Sequence, residues 1–107
     1  MDYQEILPRE VDEKMRRGER LRLIDVREPV EFELARVEGA ELLPMSRLLS
    51  WIDSLNPDDA LIVMCHHGVR SAHVCRYLVE RGYRHVSNLV GGIDLWSAQV
   101  DENVPRY

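Results

Sequence analysis

Ala60-Leu61-Ile62-Val63-Met64-Cys65-His66-His67-Gly68-Val69-Arg70-Ser71 contains the change of pattern that decides the fold. Its first five residues are an unbroken apolar run, bounded by Asp58-Asp59 before and Cys65 after. Such a run is too short for a helix of ordinary length and fits a strand buried on both faces. Past the loop, residues 71–81 carry Val74, Cys75, Leu78 and Val79 on one helical face, and Gly82 closes the segment. A central strand thus leads through a short glycine-containing loop into a helix, with Ser71 as the expected cap.

Working upstream, residues 47–55 repeat Leu48, Ile52 and Leu55 at helical spacing, Ser46 precedes them as a cap, and Asn56-Pro57-Asp58 stops them. Residues 39–44 read as a turn leading into a brief strand, and residues 28–34 as a short helix. Residues 21–26, Leu-Arg-Leu-Ile-Asp-Val, are β-rich and end on charge. Residues 8–18 open on proline, run acids before bases and end on glycine, with Val11 and Met15 marking the buried side of a helix. Downstream, residues 86–89 make a strand, Gly91-Gly92 a tight turn and residues 93–100 a last helix. Strands alternating with helices predict an α/β fold: a mostly parallel central sheet with helices on both faces, joined by right-handed crossovers. No repeat, linker or low-complexity stretch divides residues 1–107, so a single domain is expected.

The 107 residues hold 14 basic and 19 acidic side chains, a formal charge of −5, which opposes binding to a phosphate backbone. Arg16, Arg17 and Arg20 cluster, but Glu13 and Glu19 dilute them, so the run reads as a solvated helix end. No apolar run approaches the roughly 20 residues that span a bilayer, and no basic flank precedes an apolar stretch at the N-terminus. Two cysteines, Cys65 and Cys75, are too few for a disulfide scaffold. The expectation is a cytoplasmic monomer that binds neither nucleic acid nor membrane.

In open α/β sheets the ligand site lies beyond the carboxyl ends of the strands, where Cys65 sits. Between a strand and a helix N-terminus, the dipole and unpaired amides favour a thiolate, which is the nucleophilic form. Gly68 lets the backbone turn so that amides from His66 to Ser71 converge as an anion nest. The competing reading is a small core residue at a strand end, since free cysteines are among the most buried residues. Glycine three residues on and arginine five residues on tip the balance towards an anion pocket. His66, His67 and Cys65 form an incomplete ligand set, so no metal is expected. Cys75 reads as a core residue of the following helix, Trp51 and Trp96 as core or rim aromatics, and His73 and His85 as residues without a special role.

Two stretches together carry a family resemblance. The first is Leu23-Ile24-Asp25-Val26-Arg27-Glu28 with Glu31-Phe32 and Gly39-Ala40, and the second is Cys65 to Ser71 followed by Gly91-Gly92-Ile93-Asp94-Leu95-Trp96. In this order and at this separation they resemble the rhodanese family, over nearly the whole chain. The resemblance implies a three-layer rhodanese-like fold and a sulfurtransferase needing no cofactor. In such an enzyme Cys65 takes a sulfane sulfur from a donor such as thiosulfate or a persulfidated protein. It holds that sulfur as a persulfide and passes it to an acceptor thiol, cyanide or a sulfur-carrier protein. His66, His67, Gly68, Val69, Arg70 and Ser71 would form the substrate-binding loop, with Arg70 shaping the pocket or meeting an anionic donor. Asp25 and Arg27 would belong to a supporting polar network. On residues alone, Asp25 reads equally well as a turn carboxylate at a strand end.

This loop departs from the family's pattern in offering two histidines where basic residues often precede the glycine. Histidine carries only partial charge near neutral pH, which weakens the case for dianionic thiosulfate as the preferred donor. Arg36-Val37 stands where many relatives have His-Ile, with no mechanistic consequence expected. Related dual-specificity phosphatases separate cysteine from arginine by five residues, whereas four, His66 to Val69, lie between Cys65 and Arg70. The smaller loop favours sulfur over phosphate. A second rival is a binding or redox-sensing module, since some rhodanese domains serve only in interaction, although those have lost their cysteine. The closing segment, through Val104-Pro105-Arg106-Tyr107, looks like rhodanese domains fused to adenylyltransferases that activate sulfur-carrier proteins.

Overall fold

The alternation of strands and helices predicted above closes into one five-stranded sheet of order β1-β5-β4-β2-β3 in a computed structural model, which describes residues 3–107. The strands are β1 (Gln4–Ile6), β2 (Arg22–Asp25), β3 (Glu41–Leu42), β4 (Ala60–Met64) and β5 (His85–Leu89). Every neighbouring pair is parallel. The helices are α1 (Pro8–Arg16), α2 (Pro29–Leu34), α3 (Leu48–Trp51), α4 (Val69–Glu80) and α5 (Gly92–Gln99).

Central strand β4 explains the layering. Its side chains alternate between two cores: Leu61 and Val63 join Cys65, Val74, Cys75 and Leu78, while Ile62 and Met64 join Val11, Leu89, Ile93 and Trp96. Helices α3 and α4 therefore cover one face and α1 and α5 the other, as the unbroken apolar run required. Trp51 and Trp96 are both core residues, and the Trp51 indole N–H donates to the Pro44 carbonyl at 2.9 Å.

The expected helix over residues 47–55 is largely absent. A 3₁₀ turn at Met45–Arg47 leads into only one helical turn, α3, and the rest of the segment is irregular. Ser46 caps nothing; its hydroxyl donates to Glu28 at 2.7 Å. Trp51, Ile52 and Leu55 are nevertheless buried, so the apolar spacing reports burial without a continuous helix. Edge strand β1, not expected, is three residues long with one buried side chain, which leaves no alternation to read.

Parallel register sets Asp25 opposite Met64, and the Val26 amide donates to the Met64 carbonyl at 3.0 Å. The carboxyl ends of β2 and β4 thereby finish side by side. Cys65 emerges between the start of α4 and the end of β2.

Candidate active site

Cys65 follows directly after β4, with only 1% of its surface exposed. The Gly68 amide donates to its Sγ at 3.1 Å and the Ser71 amide at 3.4 Å. The nest expected from His66 to Ser71 thus closes on sulfur through these two amides. Gly68 makes the turn at φ +104, a conformation that L side chains rarely adopt.

Ser71 is not the helix cap. Gly68 holds that position, and Ser71 lies within α4, fully buried, with its hydroxyl 3.3 Å from Cys65 Sγ. The hydroxyl donates to Asn88 Oδ1 at 2.6 Å, and Asn88 Nδ2 donates to the Gly68 carbonyl at 3.1 Å. Asn88, buried on β5, therefore ties the loop turn to the residue beside the sulfur. Sequence reading passed over it, because an Asn in a strand carries no chemical signature.

Arg70 pairs with Glu31 on α2, donating from both terminal nitrogens at 2.7 and 2.9 Å. The pair ties the end of the loop to α2. This bidentate pair holds the Glu31 carboxyl at about 2, well below the usual range, and raises the Arg70 guanidinium. Glu31 also accepts from the Glu28 amide at 3.1 Å. It stood in the resembling stretch, but only the fold reveals its partner.

Asp25 and Arg27 are both completely buried and paired, Nη2 to Oδ2 at 2.7 Å. Arg27 further donates to the Ala35 carbonyl at 2.6 Å, the Glu31 carbonyl at 3.2 Å and the Tyr107 hydroxyl at 2.8 Å. A buried ion pair is tolerable only when its remaining donors are satisfied, as here. Asp25 is thus more than a turn carboxylate: it anchors the guanidinium that holds α2 and the chain end in place.

The rim of the loop consists of half-buried His66, exposed His67 and exposed Val69. His66 is stacked between two rings, His67 and Tyr107, each with its centroid at 3.9 Å. Burial, then the neighbouring imidazole of His67, lowers the His66 pKa, which disfavours the charged form of that ring. His66, His67 and Asp94 bring ligand atoms within 4.8 Å of one another, a grouping the spacing did not reveal. Stacked imidazole planes do not converge on one point, and Asp94 is engaged by Arg106 at 2.9 and 3.0 Å. Cys75 lies fully buried on α4, and burial pushes its thiol up to about 12, the profile of an inert core cysteine.

Gly92, at the start of α5, is packed against the backbone of Cys65 and His66. The Ile93 amide donates to the Cys65 carbonyl at 2.9 Å and the Asp94 amide to the His66 carbonyl at 3.2 Å. The first turn of one helix therefore holds the chain where the Cys65 loop begins.

A family model described as Rhodanese-like domain matches residues 7–99. The chain belongs to this family. Among its rhodanese relatives is a rhodanese-like/PpiC domain-containing protein of Arabidopsis thaliana, 38% identical over 89 residues. That match takes in 79% of this chain but 30% of the longer plant protein. Thiosulfate sulfurtransferase GlpE of Haemophilus influenzae is 35% identical over 96 residues, 90% of each chain. Among solved structures, a rhodanese-like domain protein from Staphylococcus aureus superimposes with a TM-score of 0.83 at 28% identity, covering 97% of this chain and 98% of that one. The three-layer parallel rhodanese architecture anticipated from the sequence is the one found. No helix among the described residues is long and apolar enough to cross a membrane.

Proposed function

We propose that this rhodanese domain is a sulfurtransferase working through a Cys65 persulfide, as one domain, monomeric and cytoplasmic. The observation that carries the reading is Cys65 Sγ at the floor of its loop, within 3.1 and 3.4 Å of two backbone amides. Those amides favour an anionic sulfur, first as thiolate and then as persulfide. The Cys65 thiolate attacks the outer sulfur of thiosulfate, the Sγ–S bond forms, and the donor's S–S bond breaks with its electron pair leaving on sulfite. An acceptor thiol, cyanide or a sulfur-carrier protein then attacks the outer sulfur of the persulfide and Cys65 departs as thiolate. A persulfidated protein serves as donor by the same displacement.

The ground for thiosulfate is the relative of matching length named for that activity. The ground for a persulfide donor is electrostatic: Arg27, Arg70 and Arg106 are each paired with a carboxylate, so none of the three is a free cation for a dianion. Incubation with thiosulfate, with 3-mercaptopyruvate or with a persulfidated cysteine desulfurase, followed by intact-mass measurement, tests the reading. One added sulfur on the wild type and none on Cys65→Ser is the expected outcome. A sulfur adduct retained in full by Cys65→Ser overturns it. The near-complete burial of Cys65 favours a second reading, a binding module, which absence of an adduct from every donor would support.

A further inference from the structure

Tyr107 lies far from the loop in sequence, yet it touches one of its arms and reaches the other through Glu31. Its ring stacks on His66, immediately after the nucleophile, at a centroid distance of 3.9 Å and an interplanar angle of 12°. Its hydroxyl accepts from Arg27 and donates to Glu31, each at 2.8 Å. That same Glu31 carboxylate holds Arg70 at the far arm. The approach of the tail is itself fixed, since Arg106 pairs with Asp94, Val104 is buried, and the Ser97 hydroxyl donates to the Val104 carbonyl at 2.6 Å. One side chain thus links residue 66 directly, and residue 70 through Glu31, across a loop whose Cys65 is 1% exposed.

We propose that Tyr107 is a specificity-determining residue of the Cys65 site, holding the rim narrow so that compact sulfur donors reach Sγ and bulky ones are excluded. The inference deepens the sulfurtransferase reading and rests on it for the nature of the donor, but not for access to the thiol. Two components contribute differently. The ring forms the wall with His66, whereas the hydroxyl draws α2 and Arg70 towards that wall. Tyr107→Phe keeps the first and loses the second; Tyr107→Ala loses both.

The test measures Cys65 alkylation in the full chain by iodoacetamide and by a fluorescein maleimide, using peptide mass spectrometry, for wild type and both variants. Wild type is expected to discriminate strongly against the bulky reagent. In Tyr107→Ala the bulky rate rises about tenfold or more while the iodoacetamide rate changes less than about threefold; Tyr107→Phe lies between. A general loosening would raise both rates together, and an unchanged ratio of the two rates in Tyr107→Ala overturns the proposal. In a parallel arm, glutathione persulfide gains on thiosulfate as donor for Tyr107→Ala. Sulfur uptake by wild type from neither donor would count against the sulfurtransferase reading, and the alkylation ratio would still decide the role of Tyr107.

Discussion

Glu31 joins three parts of the site, receiving Arg70, the Tyr107 hydroxyl and the Glu28 amide. Arg70 first, and Tyr107 after it, hold its carboxyl at about 2 against an ordinary 4.5. A carboxylate whose folded pKa is depressed adds stability above its unfolded pKa and loses it as the pH falls through the folded value. The contribution is therefore present at neutral pH and disappears between about pH 5 and pH 2. With 37% of the Arg70 side chain exposed, solvent screening reduces it to about 1–2 kcal/mol. Urea unfolding of wild type and Glu31→Gln should differ by that amount at pH 7 and converge as the pH approaches 2. A gap that stays constant with pH would show that the ion pair is not its source. Cys65, Gly68 and Arg70 were legible in the sequence because their types and spacing carry chemistry. Glu31, Asn88 and Tyr107 were not, because each acts through a partner 17 to 80 residues away.

At the scale of elements, the loop is held by the start of α4 on one side and the start of α5 on the other. Gly92 makes the second contact possible: at φ +58, an added Cβ would lie 2.3 Å from the Cys65 carbonyl oxygen and 2.5 Å from that of His66. Both are backbone atoms, so relief requires moving the loop itself. Gly92→Ala is expected to cost about 1–3 kcal/mol of stability and to slow sulfur loading about tenfold or more. Gly18→Ala is the matched control, with φ +73 and nothing within 4 Å of the added carbon. It should lose stability in thermal unfolding but load sulfur at the wild-type rate; equal loading by both variants would contradict the proposed packing constraint. The Gly91-Gly92 turn was readable from sequence, but the backbone it packs against was not. The short α3 shows the opposite error, where Leu48, Ile52 and Leu55 kept helical spacing across a segment shaped by its packing in the core with Ile24 of β2 and Leu61 and Val63 of β4.

At the scale of the molecule, the five parallel strands separate two apolar cores and bring the polar network to one end of the sheet. That architecture was legible because β4 is apolar on both faces and each crossover carries a helical pattern. Edge strands β1 and β3, of three and two residues, depend on their neighbours and left weaker marks. The same arrangement separates the two cysteines chemically: Cys65 meets loop amides at the strand end, while Cys75 is enclosed in the core with its thiol pushed up to about 12. The central claim is therefore best tested by loading the protein with thiosulfate labelled in its outer sulfur, locating the label by peptide mapping under non-reducing conditions, and then adding cyanide. The account predicts label on the Cys65 peptide alone, released as labelled thiocyanate; label on Cys75, or label on Cys65 that cyanide does not remove, would contradict it.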